Sequence, residues 1–366
     1  MKYFSMLIKP ASSLCNMKCS YCFYADVSDH REVKTHGVMN QKTMRELIEK
    51  TLYAFEEKVM ITYAFQGGEP TLAGLEFFEQ FVECVNSMKK EIHHVSYALQ
   101  TNGLLLDDEW ITFLKKHEFL VGVSLDGMIE HHDNLRKDAQ NKPTYERIIK
   151  NIRKLKEEEV QFNVLTVLTH SLSKKAKQLY AFYKKNQLNY VQLIPCLPSL
   201  DFKDNPFALK PHDFAHFYDE FFSLWYKDWK KNEVMSVTLF DNLIPMFAGI
   251  PPQQCGYLGF CSMQFVTESD GSVYPCDFYV LDEHCLGNIK THSIKELATS
   301  VVLKSFLSEK RNRTRACLSC RYEGICHGQC KRMSVCYYDE TYCGLKEFMT
   351  KHEKAILEVA ASIQRR

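Results

Sequence analysis

The sequence lacks the features of a membrane protein and of a nucleic-acid-binding protein. No apolar run approaches the ~20 residues that a membrane-spanning helix needs, and the formal net charge is only +1 over 366 residues. A charge so close to zero offers no electrostatic attraction for nucleic acid or for an anionic membrane. The chain also lacks a fixed-period repeat and a low-complexity tract. We therefore expect neither nucleic acid nor a membrane as a partner.

Histidine motifs for metal binding are also missing, whereas cysteine is abundant. The 14 histidines show no ligand spacing, and the sequence contains 15 cysteines. A secreted scaffold held together by disulfides would be far shorter than this chain. The N-terminal segment reaches a second charge at Lys9, too early for the apolar core of a signal peptide. The composition therefore predicts reduced thiols that serve metal clusters in a reducing cytoplasm.

Apolar periodicity predicts six strands that alternate with helices in the first ~200 residues. The predicted strands are residues 5–9, 60–65, 95–100, 120–125, 162–168 and 190–194. This alternation is typical of parallel strands joined by right-handed crossover helices. Because six units are too few to close an eight-stranded barrel, we expect an α/β fold of the partial (β/α)6 barrel type. Its functional loops should follow the carboxyl ends of the strands.

The alternation of strands and helices stops near Pro206. Residues 214–229 predict a long helix whose aromatic stripe is more typical of a core than of a cofactor site. Residues 237–249 have the character of a connector, and the chain from Cys255 onward is rich in cysteine and turns. We therefore expect two domains, residues 1–235 and residues 236–366. Separately, the sequence predicts Asn40 as the N-cap of the first long helix.

Three cysteines near the N-terminus, Cys15, Cys19 and Cys22, have the spacing C-x3-C-x2-C. Three thiolates can hold three irons of a four-iron cluster and leave the fourth iron open to a small molecule. A structural zinc site is the alternative, but zinc needs four ligands and no further Cys or His follows nearby. The spacing therefore favours an open [4Fe-4S] cluster.

Ten cysteines lie from residue 255 to residue 343, and eight of them form a second candidate ligand group: Cys255, Cys261, Cys276, Cys317, Cys320, Cys326, Cys330 and Cys343. Eight thiolates suffice for two fully ligated four-iron clusters. A pair of structural zinc sites is the alternative that the spacing leaves open.

The first cysteine motif, with Tyr21 directly before its last cysteine, resembles that of the radical S-adenosylmethionine enzymes. In that family the open iron chelates S-adenosylmethionine, and one electron from the cluster releases a 5′-deoxyadenosyl radical. The segment Gln66-Gly-Gly-Glu-Pro70 is similar to the Gly-Gly-Glu-Pro motif of the same enzymes. The resemblance implies S-adenosylmethionine as a cofactor, and it implies these contacts to it: Tyr21, Gly68, Ser124, Arg136 and Leu197.

The later cysteines resemble the SPASM extension of radical enzymes that modify peptides and proteins. By that resemblance, one auxiliary [4Fe-4S] cluster is held by Cys255, Cys261, Cys276 and Cys330. The other auxiliary cluster is held by Cys317, Cys320, Cys326 and Cys343, so that the chain holds three clusters. The gap before Cys343 is shorter than usual in this extension. Cys336 lies nearby and stays open as an alternative last ligand.

Further segments narrow the resemblance to the anaerobic sulfatase-maturating enzymes. They are residues 10–13, Phe23-Tyr24, residues 64–78 and residues 270–281. Those enzymes oxidise an active-site cysteine or serine of a sulfatase to Cα-formylglycine. The resemblance implies that Asp277 removes the proton of the substrate side chain and that Tyr24 lines the substrate site. It also implies two partners, an unfolded or nascent sulfatase segment and an electron donor such as flavodoxin or ferredoxin.

Two other functions fit part of the sequence. A maturase that forms thioether or other crosslinks in a ribosomal peptide would share every cluster motif. A zinc-stabilised binding module without catalysis would share only the cysteine-rich segment. Genomic proximity to a sulfatase or to a short precursor peptide separates the two enzymes. The colour of protein purified without air separates iron–sulfur protein, which is brown, from zinc protein, which is colourless.

Overall fold

The computed structural model describes residues 1–201, 205–309 and 313–364. Its strands are, in chain order, β1 (Lys2–Ile8), β2 (Met17–Cys19), β3 (Val59–Phe65), β4 (His93–Thr101), β5 (Leu120–Ser124), β6 (Arg136–Asp138), β7 (Phe162–Leu168), β8 (Tyr190–Pro195), β9 (Ser236–Val237), β10 (Val266–Thr267), β11 (Ser272–Tyr274) and β12 (Gly287–Asn288). Its α-helices are α1 (Phe23–Asp29), α2 (Gln41–Tyr53), α3 (Leu75–Met88), α4 (Asp108–Lys116), α5 (Ile129–Leu135), α6 (Tyr145–Glu157), α7 (His170–Ser173), α8 (Ala176–Asn186), α9 (Pro211–Trp229), α10 (Thr238–Met246), α11 (Ile294–Ala298), α12 (Val301–Ser308), α13 (Arg315–Leu318), α14 (Glu323–Cys326) and α15 (Gly344–Gln364).

The chain folds into two compact units that alternate along the sequence. The first unit consists of Met1–Ser124, Asp133–Phe162 and Ser262–Glu309. The second unit consists of Leu125–His132, Asn163–Cys261 and the described residues from 313 onward. The division into domains at residue 235 stays a prediction. Among the described residues, no helix combines the length and the apolar character that crossing a membrane requires.

The first unit is built on a sheet whose strand order is β12-β11-β10-β1-β3-β4-β5. Strands β1, β3, β4 and β5 run parallel, as the alternation of strands and helices predicts. Strand β10 comes from much later in the chain and pairs in parallel with β1, where Ile8 lies opposite Thr267. The carboxyl ends of β10, β1 and β3 therefore meet at one edge of the sheet.

Local sequence explains the elements of the first unit. In β3 the side chains of Val59, Ile61, Tyr63 and Phe65 are buried and alternate with more exposed ones, which is the period-2 pattern of a strand. Helix α2 begins after Asn40, whose side chain accepts a hydrogen bond from the Thr43 amide. This contact confirms the predicted N-cap and satisfies one of the amides that a helix start leaves without a partner.

The second unit contains the parallel strands β7, β8 and β9. An aromatic cluster lies on α9, which packs against α8 and α15. The side chains of Phe214, Phe217, Phe221 and Trp225 on α9 are buried. The prediction that this stripe belongs to a core is therefore confirmed.

Two parts of the sequence-based prediction differ from the structure. Residues 237–249 are not a connector, because α10 covers Thr238–Met246 and buries Leu239, Phe240, Leu243 and Ile244. Pro245 lies in the last turn of this short helix and weakens its pattern in the sequence. The strands β10, β11 and β12 contain two or three residues each. Such short strands carry too few residues for a period-2 pattern.

Replacing Phe221 in the core of the second unit tests the role of the α9 stripe. Phe221 is fully buried and packs at 5.2 Å, between ring centroids, against both Phe217 and Tyr180. Because a cavity replaces the ring, Phe221→Ala should lower the free energy of unfolding by about 3–5 kcal/mol. Tyr190→Ala, at a side chain that is 62% exposed, should change it by at most about 0.5 kcal/mol. Anaerobic denaturant unfolding measures both, and equal losses would contradict the assignment.

Candidate active site

The loop that carries Cys15, Cys19 and Cys22 follows β1 and is held by backbone hydrogen bonds. Strand β2 inside the loop pairs with β6, where Cys19 lies opposite Arg136. The Ser20 amide donates to the Leu135 carbonyl at 2.9 Å, and the Cys15 sulfur accepts from the Met17 amide at 3.4 Å. The three thiols are therefore presented by a loop whose shape is set by the protein itself.

Gly68 brings the Gly-Gly-Glu-Pro loop into direct contact with the cysteine loop. The Gly68 amide donates to the Ser12 carbonyl at 3.0 Å, and the Glu69 amide donates to the Leu14 carbonyl at 2.7 Å. A Cβ atom at residue 68 would lie only 2.2 Å from the Leu14 carbonyl oxygen. Because the close neighbour is backbone, no other residue fits this position without displacing a loop.

Both oxygens of the Glu69 carboxylate accept hydrogen bonds from groups of the protein itself. One oxygen accepts from the Thr71 amide and from the hydroxyls of Thr71 and Thr101, and the other accepts from the Asn102 amide at 2.7 Å. Burial raises the pKa of Glu69, and the four hydrogen bonds oppose that shift. Glu69 therefore braces the loops that follow β3 and β4.

Four predicted cofactor contacts lie in the first unit. Gly68 touches the cysteine loop, as described above. Arg136 donates to the Tyr21 hydroxyl at 3.0 Å. Ser124, at the end of β5, accepts from the Gln100 side chain at 3.2 Å. The fifth predicted contact, Leu197, is buried in the second unit just after β8. The contacts of these residues to a cofactor stay predictions.

Three polar residues directly follow the neighbouring strands β10, β1 and β3. The Lys9 amide donates to the Thr267 carbonyl at 2.8 Å, and the Gln66 amide donates to the Ile8 carbonyl at 3.0 Å. The parallel register therefore places Glu268, Lys9 and Gln66 side by side. Polar side chains at this edge lie where ligands bind in parallel sheets.

The side chain of Asp277 lies against this row of strand ends. Its Oδ2 atom accepts from the Gln66 side chain at 2.8 Å and from the Tyr24 hydroxyl at 2.7 Å. Its Oδ1 atom lies 3.3 Å from the Lys9 ammonium. The Asp277 amide also donates to the Gln264 side chain at 3.2 Å. The structure thus brings together Asp277 and Tyr24, for which the family resemblance implies roles in proton removal and in the substrate site.

Tyr24 stays protonated beside Asp277. Burial, followed by the negative charge of Asp277, raises the pKa of Tyr24 well above its ordinary value. The Lys9 ammonium also lies 4.7 Å from the centroid of the Tyr24 ring. A neutral phenol and an amide that both donate to one carboxylate oxygen fix the direction of that carboxylate. Such a carboxylate can act as a positioned proton acceptor.

Sequence reasoning missed Lys9, Glu268 and the side chain of Gln66. The sequence predicts Lys9 as the last residue of a strand and Gln66 as the start of a glycine-rich loop. The available signal is that each is a polar residue directly after a strand that buries some or all of its side chains. The alignment of these strand ends depends on the pairing of β10 with β1, which the sequence does not reveal.

Four of the predicted auxiliary ligands line one cavity in the second unit. They are Cys317, Cys320, Cys326 and Cys343. Burial raises the pKa of Cys326 to about 11, a cost that bound iron offsets because metals bind thiolates. Within the described residues, no three Cys, His, Asp or Glu side chains converge closely enough for one metal ion. The four thiols form one candidate ligand set, and the metal that they hold stays a prediction.

Cys336 does not line this cavity. Its thiol is fully buried and points to the carbonyl oxygen of Cys196 at 3.6 Å. This position favours Cys343 as the last ligand of that cluster.

The ligands predicted for the other auxiliary cluster are distributed over the chain's two units. Cys255, Cys261 and Cys330 belong to the second unit, and Cys276 belongs to the first. Gly256, which follows Cys255, lies against Cys330: a Cβ at residue 256 would be 3.6 Å from that of Cys330. The assignment of all four cysteines to one cluster stays a prediction.

Comparison with known protein families identifies two regions. The Radical SAM superfamily model matches residues 10–182. The model of an iron-sulfur cluster-binding domain, SPASM, matches residues 257–321. These matches confirm the predicted fold, a radical-enzyme barrel followed by a cysteine-rich SPASM domain.

Individual proteins match over nearly the whole chain. A cysteine-type anaerobic sulfatase-maturating enzyme of Clostridium novyi (strain NT) is 38% identical and is covered over 99% of both chains. A serine-type anaerobic sulfatase-maturating enzyme of Bacteroides thetaiotaomicron is 26% identical over 89% of this chain and 82% of its own. The solved structure of native anSMEcpe with bound AdoMet and Cp18Cys peptide has a TM-score of 0.91, 35% identity and 99% coverage of both chains.

Adding one carbon at residue 68 tests the contact between the two loops. Because the added Cβ would meet backbone, Gly68→Ala should displace the cysteine loop. The rate of 5′-deoxyadenosine release should then fall at least about tenfold, since misplacement of reacting groups by ~1 Å can lower a rate about a hundredfold. Gly324→Ala is the matched control, since a Cβ there meets nothing within 4 Å. Unchanged release by Gly68→Ala would show that the loop adapts.

Two cysteine substitutions identify the last cluster ligand. Wild-type protein with three [4Fe-4S] clusters should contain about twelve irons per chain, and Cys343→Ala should lose about four of them. Cys336→Ala should keep its iron and lose only some stability, because it removes a buried thiol. Iron and sulfide analysis of anaerobically prepared protein measures this. Iron loss from Cys336→Ala alone would reassign the ligand, and stoichiometric zinc would exclude the clusters.

Proposed function

We propose that this chain, which belongs to the anaerobic sulfatase-maturating enzymes, oxidises a cysteine of its target sulfatase to Cα-formylglycine. Enzymes of this family oxidise cysteine or serine in sulfatases, and they do so with S-adenosylmethionine and iron–sulfur clusters. The choice of cysteine is supported by the higher identity to the cysteine-type relative, 38%, than to the serine-type relative, 26%.

The observation that carries the proposal is the environment of Asp277. Tyr24 and Gln66 donate to one oxygen of its carboxylate, and Lys9 lies beside the other. All four residues belong to the unit that also presents Cys15, Cys19 and Cys22. A proton acceptor within a radical-generating unit supports a reaction that removes both a hydrogen atom and a proton from its substrate.

Different residues of the chain have different roles in the proposed reaction. Cys15, Cys19 and Cys22 would hold the first cluster, which with bound S-adenosylmethionine would supply the one-electron chemistry for removing a β-hydrogen atom, and clusters on the later cysteines would supply the acceptor for the remaining electron. Asp277 accepts the proton of the substrate thiol. Tyr24 and Gln66 orient the carboxylate that receives it. The resulting thioaldehyde reacts with water to give formylglycine and hydrogen sulfide.

Several roles follow from this proposal. Cys15, Cys19 and Cys22 would hold the first cluster, and the eight later cysteines would hold two auxiliary clusters. Tyr21, Gly68, Ser124, Arg136 and Leu197 would contact S-adenosylmethionine, and Tyr24 would line the substrate site. The substrate would be an unfolded or nascent sulfatase segment, and a flavodoxin or ferredoxin would donate the electron. The SPASM part would form a domain with the boundary near residue 235.

Replacing Asp277 separates radical formation from product formation. Asp277→Asn keeps the shape of the side chain but removes the basic carboxylate. We expect 5′-deoxyadenosine to form still, while formylglycine in a Cys-containing sulfatase peptide falls at least about a hundredfold, the lower end of what a positioned base contributes. Mass spectrometry of the peptide and chromatography of the nucleoside measure the two products.

Asp282→Asn is the matched control for this substitution. Asp282 is exposed and accepts from the Glu32 amide at 2.7 Å, on the same segment as Asp277. It should leave both products unchanged. Unchanged formylglycine in Asp277→Asn would remove Asp277 from the mechanism. A wild-type chain that releases 5′-deoxyadenosine but leaves Cys- and Ser-containing sulfatase peptides unmodified would exclude the proposed function.

A further inference from the structure

We propose that Lys9 is a positioning residue for Asp277, and that Glu268 and Arg31 hold Lys9 in place. The inference rests on the proposed function, because it concerns the base of that reaction. The proposed chemistry gives Lys9 no direct contact with the substrate. Its placement nevertheless ties the catalytic carboxylate to a second pair of charges deeper in the first unit.

The four charged side chains form a continuous series. The Lys9 ammonium lies 3.3 Å from Asp277 Oδ1 and 3.9 Å from Glu268 Oε1. The Arg31 guanidinium donates to the same Glu268 oxygen at 2.7 Å. The signs of the charges alternate along the series, from Asp277 through Lys9 and Glu268 to Arg31. The series is neutral as a whole.

This series is more deeply buried than stability alone would favour. Asp277 is the most exposed of the four residues, and only 8% of its surface is accessible. Within the described structure, Glu268 Oε2 and the Nε and Nη2 atoms of Arg31 are buried without a hydrogen-bond partner. Burying charges costs several kcal/mol for each ion, and apolar side chains in such places are often as stable or more so. The charges therefore point to a role other than stabilising the fold.

The geometry at Asp277 indicates what that role is. Its two oxygens have different partners: Oδ2 accepts from Tyr24 and Gln66, whereas Oδ1 faces the Lys9 ammonium. Rotation of the carboxylate by part of a half turn would break both sets of contacts. Lys9 also lies over the Tyr24 ring at 4.7 Å from its centroid, which favours the ring position that lets its hydroxyl reach Oδ2. One ammonium thus fixes both the base and its phenolic partner.

Glu268 explains why Lys9 stays in this position. A lysine side chain is long and flexible, and a single carboxylate would let it move with Asp277. Glu268 holds the ammonium from the other side, and Arg31 holds Glu268. Both Lys9 and Glu268 are anchored at their backbones by the pairing of β1 with β10. The ammonium is therefore fixed relative to the sheet, and Asp277 is fixed relative to the ammonium.

The experiment replaces the ammonium and keeps the length of the side chain. Because a displacement of about 1 Å costs on the order of a hundredfold, Lys9→Met should lower formylglycine formation at least about tenfold. It should change 5′-deoxyadenosine release by less than about twofold, so that more nucleoside is released per formylglycine. Lys2→Met is the matched control, because Lys2 lies on the same strand with a side chain that is 62% exposed. It should change neither product.

A double-mutant cycle distinguishes positioning from general damage. If Lys9 acts through Asp277, then Lys9→Met should change the residual formylglycine yield by less than about twofold in the Asp277→Asn background. A loss that multiplies with that of Asp277→Asn overturns the inference. So does a Lys9→Met protein that forms formylglycine at the wild-type rate and ratio.

A second variant covers the case in which Lys9→Met fails to fold. The combination of Lys9→Met with Glu268→Gln leaves Asp277 and Arg31, one charge of each sign, so that no net charge remains buried. It should still release nucleoside while losing formylglycine. If this variant instead loses both products in equal proportion, the role of Lys9 is structural and the inference is overturned. A wild-type chain that releases 5′-deoxyadenosine but forms no formylglycine would instead overturn the proposed function. Measuring both products of the wild type therefore distinguishes failure of the proposed function from failure of the inference about Lys9.

Discussion

The parallel pairing of β10, β1 and β3 is the constraint on which the chemistry of the first unit depends. Its register places three consecutive strand ends at one level and so puts Glu268, Lys9 and Gln66 in a row. The short segment after β11 then brings the Asp277 side chain to Lys9 and Gln66. A slip of one residue between β10 and β1 would turn Glu268 to the opposite face of the sheet, because successive side chains point to opposite sides.

A second constraint acts through backbone contact between two loops. The cysteine loop is bonded to β6 on one side and to Gly68 and Glu69 on the other. Glu69 is tied in turn to Thr71 in the loop after β3, and to Thr101 and Asn102 at the end of β4, by hydrogen bonds. The thiols of the first cluster are therefore positioned by hydrogen bonds that do not involve the metal. This is the preorganisation that a cofactor site requires.

Local features of the fold could be predicted, and those set by distant pairing could not. The six strands of the barrel, the cap at Asn40 and the buried stripe of α9 all leave a periodic or capping pattern in the sequence. So do the spacings of the cysteines, and the resemblance of further segments to a known family implies roles for Asp277 and Tyr24. Lys9 and Glu268 left no such pattern. Their proximity depends on β10, a strand of two residues that pairs with β1 although a long stretch of chain separates the two.

The distance along the chain between Tyr24 and Asp277 has a consequence for how the protein is made. The two residues form a hydrogen bond although 253 positions separate them. Contacts of such long range form late, because the intervening chain must first be ordered. During synthesis the cysteine loop and the strands around it leave the ribosome long before β10 and Asp277 do. A newly made chain can therefore order the cysteine loop before Asp277 has been synthesised, so that the loop that would hold the first cluster exists for a time without the carboxylate that directs its chemistry.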